Sequence, residues 1–318
     1  MRDVLLVSLG GTTGLREADA ELAASIERAG ASVAVAAARP VREWRTMAAI
    51  ELAWARSARA AARAAGPARA VIYSSSTAAL LAPRPGAIRF DAPAAGNRPG
   101  RHGVWQRPLE RRRLREAPLL VPQAAGALVE AGSPAARSVV VPIAVEPSGP
   151  AAGERDIAAI TYAANPEKKG LDRVLAAWAS ARRDDEQLVV TGIDRVPRAP
   201  GVRVAGSLAA DAYRSLLRRA RVYVTAPRRE DYGIAQLEAL ADGCVIVTSE
   251  APGPYAALPL ARELDPRLVG DDLASALRTA LDSPSPGYAQ RALAAIAPYR
   301  RAAVDATVRD ELLPALLG

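Results

Sequence analysis

The sequence is poor in the side chains that build disulfides and zinc sites. It has one cysteine, Cys244, and one histidine, His102, among 318 residues. A single thiol cannot form a disulfide within the chain, and a lone cysteine is typical of proteins from a reducing compartment. Zinc sites need several ligands at set spacings, and the sequence has no such cluster. We therefore expect a cytoplasmic protein without a disulfide or a metal site.

Long apolar runs and aromatic residues are also scarce. No stretch of about 18 uninterrupted apolar residues occurs, so the sequence predicts no membrane-spanning helix. Residues 1–10 have only a short apolar run before a glycine turn, which is typical of a first strand and not of a signal peptide. Aromatic residues make up 4% of the chain. None lies between the arginines of residues 107–115, so no stacking platform for nucleic acid is expected.

Positive charge is concentrated in the first half of the chain. The net charge is +8; residues 1–149 have 20 Lys/Arg against 12 Asp/Glu, and residues 150–318 have 22 of each. Five arginines fall within residues 107–115. A run of this kind is usually a solvated helix face. The alternative is a surface for something anionic, either an anionic or lipid-linked acceptor or the inner face of a membrane.

Strand and helix patterns alternate along the whole chain, which predicts α/β architecture with parallel sheets covered on both faces. A Pro/Gly-rich stretch within residues 138–153 is expected to follow a strand and to separate two Rossmann-like domains. We therefore predict domains at 1–149 and 150–295, and a C-terminal helix over 296–318 that packs back across the hinge. Strands are predicted at residues 4–9, 32–38, 70–73, 87–90, 157–162, 187–191, 202–205, 222–225 and 244–248, and a long helix is predicted over residues 41–65.

Residues 229–243 contain two glutamates eight positions apart, Glu230 and Glu238. Gly233 between them allows a tight turn and a close approach of the backbone. A helix is predicted to begin near Ile234, and the free N–H groups at its start favour an anion. The segment thus combines carboxylates for hydroxyl groups with amides for a diphosphate, which are the parts that a sugar nucleotide needs.

This segment resembles the retaining GT-B glycosyltransferases of family four, the glycosyltransferase group 1 type. Three further segments resemble that family in order and spacing, and they are residues 165–172, 204–208 and 216–227. The resemblance extends over residues 157–280 and is weak over 1–150. It implies a GT-B fold, in which two Rossmann-like domains face a central cleft. It also implies a hexosyltransferase-like reaction with retention, a nucleotide-diphosphate sugar as co-substrate, and neither metal nor cofactor.

The resemblance also implies roles for individual residues. Glu230 would contact the transferred sugar near the reacting carbon, and Lys169 would pair with the diphosphate, which suits a flexible point charge. Glu238 would bind the ribose hydroxyls. The remaining donor-binding positions are the amides of Tyr232, Gly233, Ile234 and Ala235, and Ser207 and Leu208 near the base.

One position departs from the family. The arginine that usually stands six positions before the lysine is Ala163 here, so the cation is missing or is supplied by Lys168 or Arg228. This departure keeps a second hypothesis open, a non-catalytic nucleotide-sugar-binding or scaffold protein of the same fold.

The first half of the chain offers weaker candidates. Gly11 lies in a glycine turn after the first strand and is placed on the donor side by the resemblance. Asp91 and His102 are candidates for the side of the acceptor, whose identity the sequence does not give. A nicotinamide-dependent oxidoreductase is disfavoured, because the turn lacks Gly-x-Gly-x-x-Gly and an acidic residue about 20 positions on.

Overall fold

The structure is a computed structural model that describes residues 1–42, 46–150 and 155–318. The chain divides into two compact units. Unit 1 comprises residues 1–144 and 301–318, and unit 2 comprises residues 145–300. The corresponding predicted boundaries were at 149 and 295. Of the segment 296–318, expected as a helix packing back across the hinge, residues 301–318 belong to unit 1.

The strands of unit 1 are β1 (Arg2–Ser8), β2 (Val33–Ala37), β3 (Ala68–Tyr73), β4 (Ala87–Phe90) and β5 (Leu120–Pro122). They form a parallel sheet in the order β2-β1-β3-β4-β5. The sequence did not predict β5. The strand expected to begin near residue 138 instead makes a bridge between Ser138 and Leu120.

The helices of unit 1 that precede unit 2 are α1 (Thr13–Arg28), α2 (Met47–Ala64), α3 (Ser76–Ala79), α4 (Ala94–Asn97), α5 (Gln106–Glu116) and α6 (Ala125–Glu130). Side-chain caps fix where the first two begin, since Thr12 accepts a hydrogen bond from Leu15 N and Thr46 from Ala49 N. The helix predicted over 41–65 therefore begins later than expected. Residues 43–45 of that prediction lie outside the described residues.

Strand β1 shows how the sheet of unit 1 is covered on both faces. Val4 and Leu6 pack in one hydrophobic cluster, and Leu5 and Val7 pack in another. Successive side chains of a strand point to opposite faces, so a continuous apolar run contributes buried side chains to both faces of the sheet. This is the pattern from which the parallel sheets were predicted.

The strands of unit 2 are β6 (Ile157–Tyr162), β7 (Leu188–Thr191), β8 (Val202–Gly206), β9 (Ala220–Thr225) and β10 (Val245–Thr248). They form a parallel sheet in the order β10-β9-β6-β7-β8. The helices of unit 2 are α7 (Leu171–Ala181), α8 (Ala210–Arg219), α9 (Ile234–Ala241), α10 (Ala257–Leu264), α11 (Leu273–Asp282) and α12 (Tyr288–Ala295).

The C-terminal segment is not one helix. After a 3₁₀ turn at Ala297–Tyr299 the chain continues as α13 (Arg301–Thr307), a π-helical turn (Val308–Leu312) and α14 (Leu313–Leu317). Proline has no N–H to donate, so Pro298 and Pro314 interrupt regular α-helical bonding at these points. Buried side chains of this segment join the cluster around Val4, and they are Val304, Val308, Leu312 and Leu313.

Candidate functional site

The site lies where the strand order of unit 2 reverses. Neighbouring strands β6 and β9 are hydrogen-bonded, yet β6 is followed by β7 on one side and β9 by β10 on the other. Ligands of open parallel sheets bind outside the carboxyl ends of the strands at such a switch point. Lys169 follows β6 and Glu230 follows β9, so both predicted catalytic side chains leave the sheet at this point.

Lys169 and Glu230 form an ion pair. The Lys169 Nζ atom lies 2.6 Å from Glu230 Oε2, and the side chains are 18% and 6% exposed. Gln236 Nε2 also donates to Glu230 Oε2, over 3.2 Å. Two donors on one oxygen fix the orientation of the carboxylate, because each hydrogen bond prefers a narrow range of angles. The structure thus brings these two predicted site residues together.

Close packing of the two loops holds this pair in place. Gly170 has φ +63°, and a Cβ atom there would lie 1.9 Å from the carbonyl oxygen of Ala226. Arg228 N donates to the carbonyl of Lys168 over 2.9 Å. Any side chain at position 170 would separate the two loops, so the glycine after the lysine is a geometric requirement of the site.

Helix α9 begins at the residue where the sequence predicted it. Its N-cap is Gly233, which has φ +91°, and a Cβ atom there would lie 2.9 Å from the ring of Tyr255. Tyr232 and Ala235 are buried, and Ile234 is exposed. The first N–H groups of a helix have no partner within the helix. The amino end of α9 is therefore an anion-favouring surface beside the Lys169–Glu230 pair.

Asp231, the residue after Glu230, pairs with two further cations. Lys168 Nζ contacts Asp231 Oδ2, and Arg229 Nε donates to Asp231 Oδ1 over 2.7 Å. Burial alone would raise the pKa of Asp231, but the neighbouring Lys168 and Arg229 outweigh it, so the pKa lies below its usual value. Asp231 stays ionised and holds both cations close to Glu230. Arg228, the other substitute suggested by the sequence, pairs with Asp172 instead, at 2.8 Å.

Glu238 lies within α9 and has a partner that sequence reasoning missed. Arg214 of α8 places one guanidinium nitrogen 3.6 Å from Glu238 Oε1, while its Nε donates to Asp242 over 2.6 Å. Burial lowers the pKa of Arg214, but Asp242 and Glu238 raise it further, and the net shift is upward. Nothing in the sequence distinguishes Arg214 from Arg218 or Arg219 on the same helix, so only the tertiary structure identifies it.

The two residues expected near the base are not hydrogen-bonded to the two glutamates. Ser207 and Leu208 follow β8 and are exposed. Among the described residues, no hydrogen bond joins either of them to Glu230 or Glu238.

The predicted residues of the first half of the chain are all in unit 1. Gly11 follows β1 and is exposed; a Cβ atom there would lie 3.4 Å from the ring of Trp54. The positive φ of this turn, +61°, belongs to Gly10. Asp91 follows β4 and accepts a hydrogen bond from Ala92 N over 2.7 Å. The backbone of His102 lies in a 3₁₀ turn, and its side chain is outside the described part of the structure.

The described residues contain neither a cluster of metal ligands nor a membrane-spanning helix. Within residues 1–42, 46–150 and 155–318, no group of three or more His, Cys, Asp or Glu side chains is placed to hold a metal ion. In the same part of the chain no helix combines the length and the apolar character needed to cross a membrane.

Comparison with known proteins identifies the domain that carries this site. Residues 155–283, which include Lys169, Glu230 and Glu238, match the family model of glycosyl transferases group 1. This segment is a glycosyl transferases group 1 domain. The chain is therefore a glycosyltransferase. No curated protein matches the sequence significantly.

Solved structures resemble this glycosyltransferase over nearly its whole length. WaaG, a glycosyltransferase involved in lipopolysaccharide biosynthesis, has a TM-score of 0.70 at 14% identity and covers 99% of both chains. HepE from Anabaena, solved with UDP and glucose, has a TM-score of 0.66 at 13% identity, covering 98% of this chain and 99% of its own. Sucrose-phosphate synthase from Thermosynechococcus elongatus has a TM-score of 0.65 at 14% identity, covering 99% and 100%. At such identities the likeness shows the fold, and the predicted GT-B fold with two parallel sheets is confirmed.

Proposed function

We propose that this glycosyltransferase takes a sugar from a nucleotide-diphosphate donor held by unit 2 and transfers it with retention of anomeric configuration. The observation that carries the proposal is the 2.6 Å pair between Lys169 and Glu230, beside the amino end of α9 and at the strand-order reversal. The family match covers the same residues. The solved complex of HepE with UDP and glucose supports a nucleotide sugar as the donor.

Departure of the diphosphate is the step that the cations favour. As the bond between the sugar and the diphosphate breaks, its electron pair leaves negative charge on the diphosphate and positive charge on the sugar. The Lys169 ammonium and the amides of Tyr232, Gly233, Ile234 and Ala235 are assigned to the diphosphate and to the sugar beside it. Dipoles and charges that are already oriented before the reaction stabilise such a transition state most effectively.

Glu230 is assigned to the sugar. Within the described part of the chain, its two side-chain hydrogen bonds are both made by Oε2, so Oε1 is the oxygen that we assign to a sugar hydroxyl near the reacting carbon. Glu238 is assigned to the ribose diol, and Arg214 to holding its carboxylate in position. Ser207 and Leu208, which follow β8, are assigned to the base.

The acceptor side is assigned to unit 1. Asp91 follows β4, so it leaves the carboxyl edge of that sheet, where ligands of α/β folds bind. Gly11, which follows β1 at the same edge, stays assigned to the donor. His102 remains a candidate on the acceptor side. We further propose that the reaction needs no metal or other cofactor, that the acceptor is anionic or lipid-linked, and that the enzyme works in the cytoplasm or at the inner face of the membrane.

A nucleotide-sugar-binding protein without turnover is the second candidate, and Ala163 is the observation that favours it. The side chain of Ala163 is 1% exposed, so the usual arginine is absent and the position is closed to solvent. A site that has lost one diphosphate cation could retain binding and lose catalysis.

Release of nucleoside diphosphate from UDP-, GDP- and ADP-sugars distinguishes the candidates. Turnover of at least one donor that is lost in Lys169→Met and Glu230→Gln, but retained in Arg112→Met, supports the enzyme. Donor binding by calorimetry without turnover supports the scaffold. If no nucleotide sugar binds, the assignment of the donor to unit 2 is wrong.

A further inference from the structure

A groove on unit 1 is not explained by glycosyl transfer. It has a volume of about 870 Å³ and lies between α5 and the segment that follows α6. Arg111 and Arg115 line it from α5, and Arg137 lines it from the other side. Small side chains of residues 131–136 form most of the remaining wall, so the arginines are its main polar groups.

The three arginines are available to a ligand. Arg111 and Arg115 are four residues apart and therefore share a face of α5. The backbone of Arg137 is anchored beside β5, because its carbonyl accepts a hydrogen bond from Leu120 N over 2.9 Å. All three are exposed, and within the described ranges no side-chain hydrogen bond or ion pair engages their guanidinium groups. Glu130 also lines the groove and has an interaction of its own.

The other arginines of α5 are engaged elsewhere. Arg107 donates to the carbonyl of Arg98 and Arg113 to that of Leu80, each over 3.0 Å. Arg112 pairs with Glu116 at 2.8 Å. The run that looked like one basic patch in the sequence thus separates into three arginines that have hydrogen-bonding partners and two that face the groove.

The groove is separate from the edge of unit 1 assigned to the acceptor. Ala117 and Pro118, which line it, directly precede β5, and residues 131–137 lie beyond the end of α6; Ala95 of α4 completes the lining. Apart from Ala95, these residues are at the amino end of β5, whereas Gly11 and Asp91 follow the carboxyl ends of their strands and do not line the groove. A ligand in the groove would therefore occupy a second site.

The geometry points to this groove as a binding site for a phosphate group carried by an anion other than the sugar donor. Guanidinium groups present paired N–H donors that match phosphate oxygens, and they stay charged at any working pH. Three of them around one groove can neutralise a phosphate dianion. The volume falls in the range of about 300–1,000 Å³ typical of small-molecule sites. The inference does not depend on the proposed reaction, because no residue of unit 2 takes part.

A fluorophore on the wall of the groove can report binding. Cys244 is fully buried, and burial raises the pKa of its thiol to about 12, so it does not compete for a thiol-directed label. Ala135 is exposed on the groove wall, and Ala135→Cys provides the attachment site. The probe is inorganic pyrophosphate, titrated at low and high salt.

Two triple variants that remove equal charge make the comparison. The groove variant lacks the three cations of the groove, because it combines Arg111→Gln, Arg115→Gln and Arg137→Gln. The control replaces three other exposed arginines of unit 1, Arg2, Arg56 and Arg63, by glutamine. Both retain Lys169, so pyrophosphate bound in unit 2 affects them equally. Matching thermal melts establish that both are folded.

We expect the groove variant to bind pyrophosphate about tenfold more weakly or worse, because it lacks the three charged donors of the groove. The control should match the parent. Equal affinity in the two triple variants overturns the inference. Sedimentation with vesicles of phosphatidylcholine, alone or with phosphatidic acid, then separates the sources. If the parent and the control sediment with the phosphatidic acid vesicles and the groove variant does not, the ligand is a lipid headgroup. If the parent binds pyrophosphate but does not sediment with these vesicles, the ligand is a soluble phosphate.

Discussion

Replacing Lys169 by methionine tests whether the donor site is held by an ion pair before any ligand binds. Methionine keeps most of the aliphatic stem and removes the charge, so packing changes little. The Glu230 carboxylate, 6% exposed, would then keep Gln236 as its donor and lose its cation. A buried charge without its partner is costly, because neither water nor a counter-ion replaces the lost interaction.

The magnitude follows from the burial of the two groups. Breaking a fully buried pair costs about 3–5 kcal/mol, and exposed pairs contribute about 0–1 kcal/mol. Lys169 is 18% exposed, so we expect a loss of about 2 kcal/mol. For a unit the size of unit 2 this corresponds to a fall in Tm of about 4–8 °C. Glu230→Gln in the Lys169→Met background should restore part of the loss, since it removes the unpaired charge.

Thermal melts of the two single variants and the double variant form the test. Arg112→Met is the control, because its pair with Glu116 is 67% and 50% exposed and should change Tm by less than about 2 °C. If Lys169→Met melts like the parent, or if the effects of the single variants simply add, the two side chains are not coupled. The electrostatic account of the site would then be wrong.

Three further predictions use other parts of the molecule. Glu238→Ala should weaken binding of a nucleoside diphosphate by about 1–3 kcal/mol in calorimetry, and an unchanged affinity would remove its ribose role. Gly233→Ala should lower Tm, because of its φ of +91° and the Tyr255 ring 2.9 Å away, whereas Gly66→Ala, with open space around it, should not. Burial raises the pKa of Glu110, so the folded state holds its proton more tightly than the unfolded state. Stability from this group should therefore fall as pH rises from about 4.3 through the raised value, and melts of Glu110→Gln should lose that slope.

Much of the fold could be predicted because buried parallel strands are continuous apolar runs. The strand over 157–162, for example, was predicted with the bounds that the structure gives it. The C-terminal helix was less well predicted, because periodicity alone does not show that proline interrupts the bonding at residues 298 and 314. Strand β5 was missed because only three residues form it, which is too short for an alternating pattern to stand out.

The candidate site could be predicted only where its residues are close to one another in the sequence. Glu230, Gly233 and the start of α9 lie within a few residues of one another, so their spacing is readable. Arg214 comes from another helix and meets Glu238 only after folding. The same limit applied to the basic run of α5, where the partners of each arginine, and not their number, decide which of them face a ligand.

Ala163 stands where the family usually has an arginine, and the surrounding structure bears on which residue replaces that charge. Ala163 is closed to solvent at the end of β6, and its N–H donates to the carbonyl of Thr191 over 2.8 Å. A guanidinium would have to displace packed neighbours to reach the site from there. Lys168 is a better source of the missing charge than Arg228, because Asp231 holds it one residue from Glu230. The bidentate pair with Asp172 fixes Arg228 elsewhere, at 2.9 and 2.8 Å. In the family an arginine at the end of this strand usually supplies the cation. Here Lys168, in the loop after β6, would supply it.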